Sequence, residues 1–387
     1  MSRRVALCTH FSVEHFRGGE KWVADVANRL AADGVDVDVY ALPYAPGGER
    51  RVDARDVLDD GVGYTEGWRH DVSGYDTAYV MYTPGMGLCF SISSGTRTIA
   101  GIHSWAFITD KLFESHYGVA PTAAKLCYRL VGANELRRYD VVHAVSRVFD
   151  SPHPETTYVP NFVDTTRFRP GRAPLHEEFT VLVTAAHIRE KGWDVVQQVA
   201  DRLPADVRLA TTGECSHPHI DALGFLDEDE LADAYAAAHL VLHPTRVDTD
   251  SMVINEALAS GTPVISSPLP THVRTDEAAM HANSASEIVD RITDLAEEFR
   301  TDRARYDARC ALARQHGRNR DAELVYRRLR RLLFPDWIPD SADATDPTEP
   351  TTVTGVTTDT GDAAPDTPTH ALGNGDGQTS HEGTTTQ

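Results

Sequence analysis

Residues 223–268 read LGFLDEDELADAYAAAHLVLHPTRVDTDSMVINEALASGTPVISSP. Gly224 turns the chain into four successive acids, Asp227 to Glu230, whose charge suits the positive end of a helix dipole. Leu231, Tyr235 and Ala238 then recur at helical spacing. Leu240, Val241 and Leu242 form a short buried strand closed by His243 and Pro244. A loop over residues 245–250 opens a second helix over 251–260, which Gly261 and Pro263 stop, and 264–266 is the next strand. Helix, strand, loop, helix, strand predicts a parallel sheet with helical crossovers, an α/β fold.

The chemistry of this stretch lies in the loop and the second helix. Asp248 precedes that helix and Glu256 lies within it, so both carboxylates can face a ligand docked at the helix N-terminus. Backbone N–H groups around Ser251 and Met252 would meet an anion there. A diphosphate at the N-terminus, with hydroxyls taken by the flanking carboxylates, describes a nucleotide-sugar.

The stretch resembles the nucleotide-sugar half of the retaining glycosyltransferases of family 4, the group 1 family with the GT-B fold. Their pattern is Glu, seven residues, Glu, then Ala-(Met/Leu)-Ala-x-Gly-x-Pro-Val. Here Glu256 keeps the second acid and Asp248 stands at the first, one methylene shorter. The resemblance covers roughly residues 4–333. It implies GT-B: two Rossmann-like domains with parallel sheets facing a central cleft. The expected layout is a first, acceptor-side domain over 1–168 and a linker over 169–178. A nucleotide-sugar-binding domain over 179–317 follows, then a helix over 318–338 returning to the first domain.

Further positions follow from the resemblance. RGGEKWVADVANRL resembles the family's opening, in which Gly18 and Gly19 would approach donor and acceptor; a glycine pair before a helix also permits close backbone approach to an anion. His103 ends a strand (RTIAGIH), where ligands bind in open parallel sheets, and the family often places a histidine there against the donor sugar. In the family's G-R-(L/F)-x-x-x-K-G pattern, Arg and Lys clamp the donor diphosphate. Lys191 matches; Ala186 replaces the arginine, so Arg189 is the expected substitute. The backbone around Phe225 and Leu226 would lie along the nucleobase. Together these imply a metal-independent, hexosyltransferase-type enzyme with retention of configuration and no cofactor, the nucleotide-sugar being substrate. The catalytic set is His103, Asp248 and Glu256. Ala186 and Asp248 also admit a non-catalytic nucleotide-sugar-binding or partner subunit.

Composition bounds the rest. The chain has 387 residues, 58 acids against 37 Lys+Arg, and a net charge of −21. Only Lys21, Lys111, Lys125 and Lys191 are lysines. That balance fits a protein built for molar salt, as in a halophilic archaeon, and argues against nucleic acid as a partner. Five scattered cysteines without a CxxC fit a reducing cytoplasm. Cys215, His217 and His219 crowd one loop, but no fourth ligand stands at a fitting spacing, so no metal is expected. No apolar run reaches the ~18 residues of a membrane span. Two stretches carry excess positive charge, residues 123–138 and the amphipathic 319–333. They lean towards a lipid-linked acceptor and peripheral contact with the inner membrane face, although 319–333 fits better as the helix that crosses back. Glycans and small molecules are the other acceptor classes. From residue 339 the chain is Thr-, Asp-, Gly- and Pro-rich, without Lys or Arg, and is expected to be disordered.

Overall fold

A computed structural model describes residues 3–45, 48–92, 94–103, 128–149, 151–272 and 277–337. The acidic tail, Lys111, Lys125 and the first part of the basic 123–138 stretch lie outside the described residues.

The strands are β1 (Arg4–Thr9), β2 (Asp36–Ala41), β3 (Val62–Glu66), β4 (His70–Asp71), β5 (Thr77–Met81), β6 (Phe90–Ser91), β7 (Arg97–Ile102), β8 (Val141–Ala144) and β9 (Thr156–Tyr158). They continue as β10 (Phe179–Val183), β11 (Val207–Thr211), β12 (Asp221–Ala222), β13 (Leu240–His243), β14 (Val264–Ser266) and β15 (Ala279–His281). One seven-stranded sheet runs β3-β2-β1-β5-β7-β8-β9 and one six-stranded sheet runs β12-β11-β10-β13-β14-β15. Every ladder in both is parallel. The central strands β1, β5, β10 and β13 are buried almost throughout, the near-continuous apolar runs that sheets covered on both faces require.

Strand order fixes where a ligand can sit. β1 lies between β2 and β5, and β10 between β11 and β13, so the crossovers diverge at these strands. Crevices open at the carboxyl ends beside such switch points. His10 follows β1, His103 follows β7, Thr184 to His187 follow β10, and the Asp248 loop follows β13.

The helices are α1 (Gly18–Ala32), α2 (Ala54–Val57), α3 (Ala133–Leu136), α4 (Trp193–Ala200), α5 (Glu228–Ala237), α6 (Met252–Ala259), α7 (Ala285–Thr301), α8 (Arg303–Arg318) and α9 (Ala322–Leu333). α5 begins as its acids foretell. Asp227 caps it, accepting from Asp229 and Glu230 N–H, while Glu230 accepts from the Asp227 N–H. α9 buries Val325, Tyr326, Leu329, Leu332 and Leu333 in the core of the first sheet, and the Thr77 hydroxyl donates to the Leu333 carbonyl at 2.8 Å. Its apolar face is thus occupied by the first sheet. No helix among the described residues is long and apolar enough to cross a membrane.

α1 shows how a buried acid can be tied to a helix start. Glu20 is 3% exposed and accepts the Arg17 N–H at 3.1 Å. Burial, offset only partly by backbone hydrogen bonds, pushes its carboxyl up to about 7 from 4.5. The fold therefore favours the protonated form: this contribution is full below pH 4.5 and is lost as pH rises to about 7. Glu20→Gln keeps an acceptor for Arg17. Melting curves should show the variant more stable than wild type at pH 8 and equal to it near pH 4; an equal gap at both pH values would refute the assignment.

Candidate functional site

The loop after β13 and the start of α6 bring the two candidate carboxylates together. Ser251 caps α6, its hydroxyl accepting from Ile254 N–H, and Met252 is the first helical residue. Gly18, at the start of α1, faces it: a Cβ there would lie 4.0 Å from Met252 Cγ. One at Gly19 would lie 3.3 Å from Met81 Cε.

Asp248 has a nearly enclosed carboxylate. His243 Nε2 donates to it at 2.9 Å and Lys191 Nζ stands 3.9 Å away while donating to the Val247 carbonyl at 3.2 Å. Burial alone would raise its pKa. The Lys191 charge and the His243 hydrogen bond override burial and hold the carboxyl well below its ordinary value. These partners favour the anionic form of Asp248.

Glu256 sits further along α6, 6% exposed, accepting from the Tyr235 hydroxyl at 3.1 Å. Burial raises its pKa, and the nearby Lys21 ammonium, 3.8 Å away, offsets this only in part. Lys21 reaches across from α1 and pairs with Glu228 at 2.7 Å; Arg167 also pairs with Glu228. A cavity of about 150 Å³ opens between these groups, lined by Lys21, Asp25, Arg167, Glu228, Met252 and Glu256. Lys21 was not among the residues the sequence singled out. The only local signal was that lysine is rare in this chain.

A larger cavity of about 640 Å³ lies at the carboxyl ends of β10 and β11, lined by Thr184, Ala186, His187, Gly213, Phe225 and Leu226, among others. Gly213 N–H donates to the Gly224 carbonyl at 2.6 Å and so brings the Phe225 turn to the cavity mouth, where Phe225 is 77% exposed. The structure does not gather Arg189 with Lys191 and Asp248. Its side chain is exposed, and its carbonyl accepts from the Arg246 guanidinium.

His103 lies at the end of β7, and the Thr249 hydroxyl donates to its carbonyl at 3.2 Å. This contact ties the first sheet to the Asp248 loop. Asp250 adds two more ties: it accepts the Asn161 N–H at 2.6 Å and faces Arg320 at 3.2 Å.

His243, Asp248 and His272 each offer one ligand atom within 4.8 Å of the others, the one such group among the described residues. His243 is neutral, burial lowering it to about 4 despite Asp248. Its Nε2 already donates to Asp248, and Lys191 adds a positive charge beside the same carboxylate. Those features suit a proton-bridged pair held against a cationic lysine better than a metal ion. Cys215, His217 and His219 do not converge into such a group; His217 Nε2 lies 3.4 Å from Asp201 instead.

Two parallel α/β sheets, each with its crevice at a switch point and site residues drawn from both, make this a GT-B fold, the architecture of a large class of glycosyltransferases. Within it, residues 178–298 match the family described as glycosyl transferases group 1. It is 28% identical to the D-inositol 3-phosphate glycosyltransferase 1 of Catenulispora acidiphila, over 63% of this chain and 72% of that one. The fold superposes on a sucrose-phosphate synthase from Thermosynechococcus elongatus with a TM-score of 0.67, at 16% identity, over 85% of this chain and 98% of that one. It also superposes on Anabaena Alr3699/HepE, solved in complex with UDP and glucose, with a TM-score of 0.62 at 14% identity, over 85% and 98% of the two chains.

Proposed function

We propose that this protein transfers a sugar from a nucleotide-diphosphate sugar to a hydroxyl acceptor with retention of configuration, without a metal or cofactor. The observation that carries this reading is the pairing at α6. Two enclosed carboxylates, Asp248 in the loop before the helix and Glu256 within it, each face a lysine, at 3.9 Å and 3.8 Å. Glu256 would take the ribose hydroxyls and Asp248 a hydroxyl of the donor sugar. Lys191, with the N–H groups at Ser251 and Met252, would hold the diphosphate, and Arg189 would swing in from solvent. The base would occupy the larger cavity beside Phe225 and Leu226.

Breaking the glycosidic bond builds negative charge on the leaving diphosphate. A fixed ammonium and helix N–H groups stabilise that charge without reorganising. The leaving phosphate then helps deprotonate the acceptor on the same face, so no protein nucleophile is required and the protein supplies position and charge. The acceptor is a glycan, a lipid-linked glycan or a small molecule. We place the chemistry in the cytoplasm; contact with the inner membrane face would be peripheral and salt-dependent in vesicle binding.

Thermal shift against UDP-, GDP-, ADP- and dTDP-sugars, at low and molar salt, tests the donor site. A ligand at 100 times its Kd stabilises the native state by about 2.7 kcal/mol. One base should raise the midpoint, and Glu256→Ala should weaken that binding at least tenfold. No shift with any donor would sink the reading. One observation favours a second reading, a nucleotide-sugar-binding subunit without turnover. The larger cavity is lined by uncharged Ala186 where an arginine would complete the clamp. Binding without transfer or hydrolysis would select it.

A further inference from the structure

Tyr79 on β5 and His143 on β8 meet His103 in a chain of hydrogen bonds that the proposed reaction does not by itself require. Each bond has one possible direction. The Val159 carbonyl can only accept, so its 2.7 Å contact with His143 Nε2 places a proton on that nitrogen. Burial lowers His143 to about 4, so the ring is neutral and its Nδ1 carries a lone pair. Nδ1 therefore accepts the Tyr79 hydroxyl proton, at 2.6 Å. With that proton committed, the Tyr79 oxygen accepts from His103 Nε2, at 2.8 Å.

His103 is thus protonated at Nε2. Burial, with smaller effects of His143 and His10, keeps it well below its ordinary pKa, so the ring is neutral and Nδ1 bears the lone pair. Among the described residues Nδ1 has no hydrogen-bond partner. The surroundings hold the three rings in place. Trp22 packs on His103, Tyr79 and His143 with centroids 4.4, 5.3 and 6.3 Å away. Gly101 leaves the room Tyr79 needs, since a Cβ there would lie 2.0 Å from the Tyr79 hydroxyl.

We propose that Tyr79 and His143 are positioning residues that lock His103 in its Nε2–H tautomer, so that Nδ1 offers a fixed acceptor to a hydroxyl of the ligand in the cleft. The ligand's identity as a nucleotide-sugar rests on the function proposed above; the tautomer does not. The consequence is directional. His103 receives a hydrogen bond from a sugar hydroxyl and gives none, so a ligand with an ether or a fluorine at that position loses the contact.

The test is a long-range proton–nitrogen NMR spectrum of the full chain labelled with 15N-histidine, with His103→Gln and His143→Gln to assign the signals. His103 is expected in one tautomer, Nδ1 at the unprotonated position and Nε2 at the protonated one, with no ligand added. Tyr79→Phe should collapse this into a tautomer average. A wild-type His103 that is averaged or protonated at Nδ1 overturns the proposal, and this arm needs no variant that might fail to fold. A single tautomer that persists in folded Tyr79→Phe overturns the role of Tyr79. Adding the donor found by thermal shift should move the Nδ1 signal, and Tyr79→Phe should bind that donor about tenfold more weakly. Binding that leaves Nδ1 unmoved overturns the acceptor role. Failure of every donor to bind overturns the donor reading and leaves the tautomer result standing.

Discussion

Replacing Lys191 by methionine is expected to lower transfer by about 10²-fold or more, chiefly in kcat. Methionine keeps much of the side-chain stem and removes the charge, which separates electrostatics from packing. One preorganised group aimed at developing charge is worth about 10²–10³ in kcat. Lys191 is well placed for that task because it is itself held in place. Its ammonium donates to the Val247 carbonyl at 3.2 Å and lies 3.9 Å from Asp248, so it needs no reorganisation as the diphosphate leaves. The substitution also acts on Asp248. Without the lysine, the burial that raises the Asp248 pKa loses its strongest opponent, and the carboxyl should titrate higher. The variant's pH–rate profile should therefore lose activity at a higher pH on its acidic limb than wild type does. Steady-state kinetics on the donor distinguishes the outcomes. A raised KM with unchanged kcat would mean that Lys191 binds ground state and transition state equally. Wild-type values for both would remove it from the diphosphate site.

The sequence exposes the elements that carry their own punctuation. The stretch from α5 to β14 announces itself through the Asp227 capping box, the apolar run at Leu240 and the left-handed Gly261. Asp248 and Glu256 are legible for the same reason, since one loop and one helix fix their relation. Short edge strands are not. β9, β12 and β15 have two or three residues each and owe their form to the neighbouring strand, which local propensity does not register. Contacts between the sheets are likewise hidden. Nothing near Lys21 tells that it meets Glu256, and nothing near Tyr79 tells that it joins His103 to His143. A compositional trace of the first did exist. The chain uses arginine for nearly all its cations, yet Lys21 and Lys191, its only described lysines, both stand beside an enclosed carboxylate of α6 or its loop. Ammonium is a compact point charge that fits between a carboxylate and a ligand, where the wider guanidinium fork would fill the space.

Gly192→Ala is expected to cost about 3 kcal/mol of stability and to lower the melting midpoint by about 4 °C. Two separate effects meet at this residue. Its φ is +77°, the left-handed region, which costs an alanine about 1–2 kcal/mol. A Cβ there would also lie 2.1 Å from the Pro244 carbonyl oxygen, a backbone atom with little freedom to retreat, and overpacking of this kind typically costs about 1–3 kcal/mol. The contact matters for the site because Gly192 follows Lys191 and Pro244 opens the Asp248 loop. The two segments are laced by Arg246 N–H to the Glu190 carbonyl at 2.9 Å and by the Thr245 hydroxyl to the same oxygen at 3.2 Å. Forcing them apart lengthens the Lys191–Asp248 approach, so donor affinity should fall together with stability. Gly192→Asn separates the two causes. Asparagine tolerates positive φ better than alanine but brings the same Cβ towards Pro244. If backbone strain dominates, the asparagine variant recovers much of the loss; if the close approach dominates, both variants melt alike. A midpoint within 1 °C of wild type for Gly192→Ala would show that the two loops part freely, and the geometry argued for Lys191 would then lose its support.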